Sequence, residues 1–201
     1  MNFLAHLYLS GNSTELMIGN FIGDFVKGKD YENYSDGIIE GIKLHRKIDE
    51  FTDSNEIVSK SKIRLRPNYH KYAGVIVDMF YDHFLAANWS DYSSVPLNEY
   101  VQSVYDIMTD NINNLPERTK RILPYIISGN WLEGYAKIDG IDRALKGMAT
   151  RTKFKSNMEY AAGDLKKDYH LYETEFKLFF PELERYVNSQ HKIITQSHGK
   201  I

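Results

Sequence analysis

The chain has 201 residues, of which 42% are hydrophobic, and it contains no cysteine. This composition suits one globular core and excludes disulfides and thiol catalysis, so a bound metal would need oxygen and imidazole ligands. The net charge of −2 gives no basic field that would favour nucleic acid, and no apolar run approaches the ~18 residues that cross a bilayer. Because the first residues lack a basic segment and a cleavage site, we expect a cytoplasmic protein without a signal peptide.

The spacing of hydrophobic residues predicts helices from the first elements onward. A helix is expected over residues 13–26, because Ser13 and the acidic residue two positions later are typical of a helix start. Within it, Gly19 and Gly23 lie four residues apart and would let another backbone approach closely. A second helix is expected over residues 35–51, where isoleucines recur at helical spacing.

Prolines are expected to end or interrupt two of the helices that follow. A short helix over residues 55–63 is expected to end around Pro67, and a third long helix is expected over residues 68–88. The remaining helices are expected at 97–113, 118–132, 139–150 and 157–188, the last interrupted at Phe180-Pro181. No segment alternates with the period of two that indicates a strand. We therefore predict an all-α, single-domain helical bundle over residues 1–189 and a polar, frayed tail over residues 190–201.

Two pairs of polar side chains lie four residues apart on predicted helices. His45 and Asp49 form one pair, and Asp78 and Asp82 form the other, so each pair occupies one helix face. Two helices that present such pairs to each other could hold one or two divalent ions. For the first pair the alternative is an exposed, solvated face. The second pair lies in an apolar run, where an unpaired carboxylate would be costly.

Further polar residues interrupt other apolar runs. Asp24 lies within Phe21–Val26, and His83 directly follows the second carboxylate pair. A carboxylate in such surroundings favours a cation, a metal or several hydrogen-bond donors as its partner. His6 lies within Phe3–Leu9, where a lone histidine is more often a hydrogen-bonded core residue than a metal ligand.

Two stretches are basic although the chain as a whole is acidic. Residues 59–77 and 143–158 contain no Asp or Glu. Their basic residues are Lys60, Lys62, Arg64, Arg66 and Lys71 in the first stretch, and Arg143, Lys146, Arg151, Lys153 and Lys155 in the second. Either stretch alone is best interpreted as a solvated face, but two of them favour an anionic partner.

Several motifs follow one another in an order that resembles a known family. They include Met1-Asn2-Phe3-Leu4-Ala5-His6-Leu7, Gly19-Asn20, Asp24-Phe25-Val26-Lys27-Gly28, Leu44-His45-Arg46, Ile48-Asp49, Phe51-Thr52-Asp53, Tyr81-Asp82-His83-Phe84-Leu85, Trp131-Leu132 and Phe179-Phe180-Pro181. In these motifs the chain resembles the acyl carrier protein phosphodiesterases. The resemblance is collinear and extends over nearly the whole chain.

The resemblance implies hydrolysis of holo acyl carrier protein to the apo form, with release of 4′-phosphopantetheine. It also implies a divalent ion, preferably manganese, and an HD-domain-like helical fold. Ordinary HD enzymes carry an adjacent His-Asp dipeptide, whereas none of the seven histidines here precedes an aspartate. The nearest features are His45 with Asp49 and the reversed dipeptide Asp82-His83.

The residues and the resemblance together predict a metal-dependent phosphodiesterase that acts on holo acyl carrier protein. Imidazole with carboxylate suits manganese, magnesium or iron better than a structural zinc. The predicted metal ligands are His6, Asp24, His45, Asp49, Asp78 and Asp82. Asp24 is also expected to act directly in catalysis, and His83 to protonate the leaving serine oxygen or to orient a ligand. The predicted contacts for the phosphate or the acidic carrier are Lys43, Arg46 and Lys47.

Two other classes of function stay open at this point. One is an HD-type phosphohydrolase that acts on a nucleotide or another small phosphodiester, which would turn over small molecules without a carrier protein. The other is a helical binding module whose polar residues form a buried network without metal, which metal analysis would distinguish. The oligomeric state is open as well.

Overall fold

The fold is built from helices connected by short loops and 3₁₀ turns. The computed structural model describes the backbone of residues 1–198 and the side chains of residues 1–191, and no strand occurs within that part. Its helices are α1 (Phe3–Tyr8), α2 (Thr14–Ile22), α3 (Asp36–Ser54), α4 (Glu56–Tyr69), α5 (Ala73–Ala87), α6 (Leu97–Asp110), α7 (Glu117–Ser128), α8 (Trp131–Gly134), α9 (Ile138–Ala149), α10 (Ala161–Lys167) and α11 (Tyr169–His198). The predicted all-α class is confirmed, whereas the likeness to HD domains stays a prediction.

The division into a domain over residues 1–189 and a tail over 190–201 also stays a prediction. Helix α11 continues through the first part of the predicted tail, and residues 199–201 lie outside the described residues. No helix of the described part has the length and apolar character that crossing a bilayer requires.

The predicted breaks at the two prolines were wrong. Helix α4 continues through Pro67 to Tyr69, and α11 continues through Pro181. Pro67 falls in the last turn of its helix, where only one backbone hydrogen bond near the end is lost. Around Pro181, the side chains of Phe179, Phe180 and Leu183 are fully buried, and this packing outweighs the helix-breaking cost of about 3 kcal/mol.

The chain breaks instead at His70 and at Asp168. His70 has a positive φ of 49° and ends α4, so the next long helix begins at Ala73 and not at residue 68. Asp168 ends α10 and separates it from α11, which divides the single helix predicted over residues 157–188. Both breaks depend on local backbone angles that hydrophobic spacing does not report.

Helices α2 and α3 pack with their backbones almost in contact. A Cβ on Gly19 would lie 2.2 Å from the carbonyl oxygen of Ile38, and one on Gly41 would lie 2.4 Å from that of Leu16. Only glycine fits at such distances, which confirms the predicted close approach at Gly19. The contact sets the C-terminal half of α2 against the middle of α3.

The N-terminal helix α1 packs against α2 and α5. Its Leu4 and Leu7 are fully buried, and Ile76, Phe80 and Phe84 of α5 are equally buried. Burying such side chains contributes roughly 1.5–3 kcal/mol each, so the first residues belong to the core and are not a frayed end. This arrangement places the side chain of His6 against α3.

Candidate metal centre

Two histidines and one aspartate converge from two helices. His6 extends from α1, and His45 and Asp49 extend from one face of α3. Their ligand-capable atoms all lie within 4.8 Å of one another. The Nε2 atom of His6 lies 3.1 Å from Asp49 Oδ1, and that of His45 lies 3.2 Å from Asp49 Oδ2. The two imidazole rings stack with their centroids 4.0 Å apart.

Asn20 of α2 orients both imidazoles. Its backbone oxygen accepts a hydrogen bond from Nδ1 of His45, and its side-chain Oδ1 accepts one from Nδ1 of His6, each at 2.8 Å. The Nδ2 group of Asn20 donates to the backbone oxygen of His6 and to Ser10 Oγ, which fixes the amide orientation. Each Nδ1 therefore carries a proton, and each Nε2 faces the carboxylate of Asp49.

Gly23 gives the His45 ring its space. A Cβ at this position would lie 2.2 Å from Cγ of His45, so a larger residue would displace the ring. The 3₁₀ turn that begins at Gly23 also carries Asp24, whose Oδ1 lies 3.3 Å from His45 Nε2. The Asp24 side chain is 70% exposed, so it forms the solvent-facing rim of the cluster.

The cluster gives its two histidines different charges. Burial, together with the charge of the neighbouring His45, lowers the pKa of His6 to about 4. Burial would also lower the pKa of His45, but hydrogen bonds with Asp24 and Asp49 outweigh it and raise the value to about 9. Two protonated imidazoles in a stack would repel each other. At neutral pH, His6 is therefore neutral and His45 is protonated.

The carboxylates respond to the same charges. Burial would raise the pKa of Asp49, but its contacts with His45 and His6 outweigh burial and hold the pKa well below the usual range. The hydrogen bond from His45 lowers the pKa of Asp24 as well. Both carboxylates are therefore ionised at neutral pH and available to a cation.

The donor set fits a divalent ion. With a proton on Nδ1, neutral His6 presents a lone pair at Nε2, which lies 3.1 Å from Asp49 Oδ1 and 3.2 Å from the backbone oxygen of Met1. In this tautomer the lone pair of His6 Nε2 faces two oxygen atoms, an arrangement that favours a cation between them. Imidazole nitrogen with carboxylate oxygen is a donor set suited to first-row divalent metals.

Asp78 joins the cluster through the first residue of the chain. The α-amino nitrogen of Met1 lies 3.0 Å from Asp78 Oδ1 and 3.8 Å from Asp49 Oδ1. Burial raises the pKa of Asp78, while the Met1 ammonium opposes this shift. Its side chain is 30% exposed, so Asp78 is accessible beside the three converging residues.

Asp82, one turn further along α5, faces a different partner. Its two oxygens accept backbone N–H groups of Leu4 at 2.8 Å, Asn2 at 3.2 Å and Ala5 at 3.3 Å. These are the otherwise unpaired N–H groups at the start of α1. Burial raises the pKa of Asp82 to about 7. The carboxylate thus caps α1 from another helix, and its prediction as a metal ligand stays untested.

His83 lies among core residues and not beside His6 or His45. Its Nδ1 donates to the backbone oxygen of Tyr135 at 2.8 Å, and its Nε2 lies 3.1 Å from the hydroxyl of Tyr169. The residue is buried, and burial lowers its pKa. Both ring nitrogens therefore have partners inside the protein, and its predicted catalytic role stays a prediction.

The three basic residues predicted to bind substrate contact neighbouring parts of the chain. Lys43 Nζ pairs with Glu40 at 2.8 Å, and Lys47 Nζ donates to Gln190 at 2.8 Å. Arg46 donates to the backbone oxygens of Val26 and Gly28. These two residues follow Asp24 in sequence, so Arg46 holds the loop that carries the rim of the cluster.

Asn20 belongs to the site but not to the predicted set of ligands. Asparagine is a weak candidate as a metal ligand, and the prediction contains only carboxylate and imidazole groups. The sequence nevertheless carried a signal, since Asn20 interrupts the apolar run Met17–Ile22 just as Asp24 interrupts the run that follows. Asn20 is completely buried, and a buried amide requires hydrogen-bond partners.

The sequence of this chain is similar to those of known proteins along most of its length. A family model described as acyl carrier protein phosphodiesterase matches residues 1–183. An acyl carrier protein phosphodiesterase of Klebsiella pneumoniae is 35% identical over 186 residues, which cover 92% of this chain and 96% of the relative. One of Enterobacter sp. is 34% identical and one of Escherichia coli 33%, each over 184 residues that cover 91% of this chain and 95% of the relative. No solved structure matches significantly. A match of this extent, through both helices of the cluster, means that the chain belongs to the acyl carrier protein phosphodiesterase family.

Proposed function

We propose that this chain is a metal-dependent phosphodiesterase that hydrolyses holo acyl carrier protein to the apo form and 4′-phosphopantetheine. Family membership supports the substrate. The convergence of His6, His45 and Asp49, whose ligand-capable atoms all lie within 4.8 Å of one another, is the observation that supports the metal. We also propose that the protein acts in the cytoplasm. The proposed catalytic domain extends over residues 1–189.

In this proposal the Nε2 atoms of His6 and His45 and the carboxylate of Asp49 hold the ion, with Asp24 and Asp78 as further ligands at the rim. When bound, a divalent ion, with manganese preferred over magnesium or iron, supplies Lewis-acid activation of water and of the phosphoryl group. His45 must lose its proton for this role, so ion binding releases a proton.

The remaining side chains position the substrate and the ligands. Asp24 is exposed beside His45 Nε2, where its carboxylate can orient a water molecule for attack on phosphorus. Lys43 and Lys47 on α3 are proposed to contact the anionic substrate, while Arg46 holds the loop behind Asp24. For Asp82, whose oxygens accept three backbone N–H groups, we propose that it positions α1 and thereby His6.

The direct experiment is to incubate the purified protein with holo acyl carrier protein and Mn²⁺ and to weigh the carrier by mass spectrometry. We expect the carrier to lose the mass of 4′-phosphopantetheine with Mn²⁺ and to keep it with a chelator. An unchanged carrier together with turnover of a nucleotide or a simple phosphodiester would instead select an HD-type hydrolase for small molecules.

Thermal unfolding tests the metal without relying on activity. A ligand that binds only the folded state stabilises it by about 2.7 kcal/mol at a concentration of 100 times its Kd. We therefore expect Mn²⁺ to raise Tm in the wild-type protein and not in Asp49→Asn. Identical melting curves with chelator and with excess Mn²⁺ would contradict a metal centre, whatever the activity.

A further inference from the structure

The two basic stretches, which are some 70 residues apart in sequence, meet at one aromatic ring. Lys71 Nζ lies 4.4 Å from the ring centroid of Phe154, and Lys153 Nζ lies 5.9 Å from it. The hydroxyl of Tyr72 donates to the backbone oxygen of Phe154 at 3.4 Å. Phe154 is nevertheless an exposed residue, with 59% of its surface accessible to solvent. The two stretches thus form one surface with an apolar centre between cations.

Three basic side chains of this surface have no carboxylate partner among the side chains of residues 1–191. In the part of the chain whose side chains are described, Arg66, Lys71 and Lys153 have no carboxylate within 4.0 Å. Lys62 and Arg64, by contrast, pair with Asp53 and Glu175. We use the name docking surface for Arg66, Lys71, Lys153 and Phe154.

A cleft lies beside the docking surface and includes Asp78, the carboxylate next to the metal centre. It has a volume of about 370 Å³, and its lining includes Arg66 and Lys71 of the docking surface, the neighbouring His70, the ion pair of Lys62 with Asp53, and Asp78. Asp78 contacts the α-amino group of Met1, which in turn contacts Asp49 of the cluster. His70, at the bend between α4 and α5, has a positive φ that a non-glycine residue rarely adopts. Such backbone strain often accompanies functional sites.

We infer that the docking surface binds the acidic face of the carrier protein, and that the cleft receives the prosthetic arm on its way to the metal centre. This inference rests on the proposed hydrolysis of holo acyl carrier protein. Unpaired cations around an exposed aromatic ring complement a surface rich in Asp and Glu, because charge complementarity steers association and the ring supplies apolar contact. The cleft is lined both by residues of that surface and by Asp78, which is linked to Asp49 of the cluster through the amino group of Met1.

Binding is measured with the full chain, labelled holo acyl carrier protein and a chelator, so that affinity is recorded without turnover. The test variants are Lys71→Glu with Lys153→Glu, and Phe154→Ala. The matched control is Arg121→Glu with Arg185→Glu, since both arginines are exposed and lie outside the basic stretches. We expect each test variant to raise Kd by about tenfold, and the double charge reversal to weaken the salt dependence of Kd.

Thermal unfolding reports whether each variant folds. If the Lys71 change lowers Tm, Lys153→Glu alone carries the test, because its side chain is exposed outside the long helices. A Kd for the folded test variants within about twofold of the wild-type and control values would overturn the inference. A wild-type protein that fails to bind the carrier would overturn it as well.

The failure of this inference and that of the proposed function give different results. Wild-type protein that binds the carrier through the docking surface but leaves its mass unchanged with Mn²⁺ would retain the surface and refute the hydrolysis. Test variants that bind and hydrolyse the carrier like wild type would refute the surface and retain the hydrolysis.

Discussion

Helices α3 and α5 carry pairs of polar residues with the same spacing, yet the pairs meet different partners. On α3, His45 and Asp49 face the imidazole of His6. On α5, Asp78 and Asp82 face the amino group and the backbone N–H groups of the first residues. Spacing of four residues puts two side chains on one helix face. The element that packs on that face decides whether the pair resembles a ligand set or a helix cap.

Helix α1 connects the two pairs. Its N–H groups are held by Asp82, while its His6 side chain reaches the α3 pair one turn further on. Asp82 therefore acts on the cluster through the position of α1. Substitution of His45 or Asp49 should remove the metal directly, whereas substitution of Asp82 should act first on stability.

The largest expected effect is that of Asp49→Asn. The substitution keeps the shape but removes the charge between the two imidazoles, so we expect loss of bound metal and at least about a 100-fold loss of hydrolysis. Metal content by mass spectrometry and the mass of the carrier measure the two losses. Glu50→Gln is the matched control, because its side chain is adjacent, exposed and outside the cluster. Normal metal content and turnover in Asp49→Asn would remove the α3 pair from the site.

The next effect concerns the support of His6. Asn20→Ala removes the side-chain acceptor for His6 Nδ1 and leaves the backbone acceptor for His45 in place. We expect Mn²⁺ affinity, measured by calorimetry, to fall by about 10–100-fold, as for other residues that orient ligands. Ser10→Ala removes a partner of Asn20 without touching either ring and should cost less. Equal affinities in the wild type and Asn20→Ala would mean that His6 needs no such support.

On the α5 side, Asp82→Asn should destabilise the metal-free protein by about 2 kcal/mol, because backbone donors lose a charged acceptor. Asp78→Asn should cost less, since that carboxylate is partly exposed. Denaturation in the presence of a chelator measures both changes. If Asp82→Asn keeps its stability and loses only its metal, Asp82 is a ligand after all and the two pairs are equivalent.

The pH dependence of the two stacked histidines in the metal-free protein tests the α3 side of the comparison again. The raised pKa of His45 gives stability that is complete below its ordinary value of 6.5 and lost as the pH rises through about 9. The lowered pKa of His6 acts in the opposite direction, since stability falls as the pH drops from 6.5 towards about 4.

Melting curves recorded with a chelator across this range should therefore show that Tm falls towards both acidic and alkaline pH. His45→Gln should reduce the fall of Tm at alkaline pH, and His6→Gln should reduce the fall at acidic pH. Imidazole resonances that both titrate near 6.5 in the wild type would contradict the assignment of different charges.

Much of the cluster followed from local sequence. Their spacing predicts His45 and Asp49 as ligands. His6 and Asp24 are predicted because polar groups in apolar runs need partners. These four residues do come together. Asn20 is not among the predicted residues because it accepts and donates hydrogen bonds behind the ligands, and its amide is neither a carboxylate nor an imidazole.

The sequence by itself determined that the chain is helical, because periodic hydrophobic residues and the lack of alternation exclude strands. It also determined that charged groups lie within apolar segments. Only the tertiary structure decided which of those groups meet, since His6 and Asp49 are 43 residues apart and Leu4 and Asp82 are 78 apart. A helix face is a local property, whereas its partner depends on how α1, α3 and α5 pack. The close contact of α2 with α3 and the burial of α1 against α5 thus made one pair a candidate metal centre and the other an anchor.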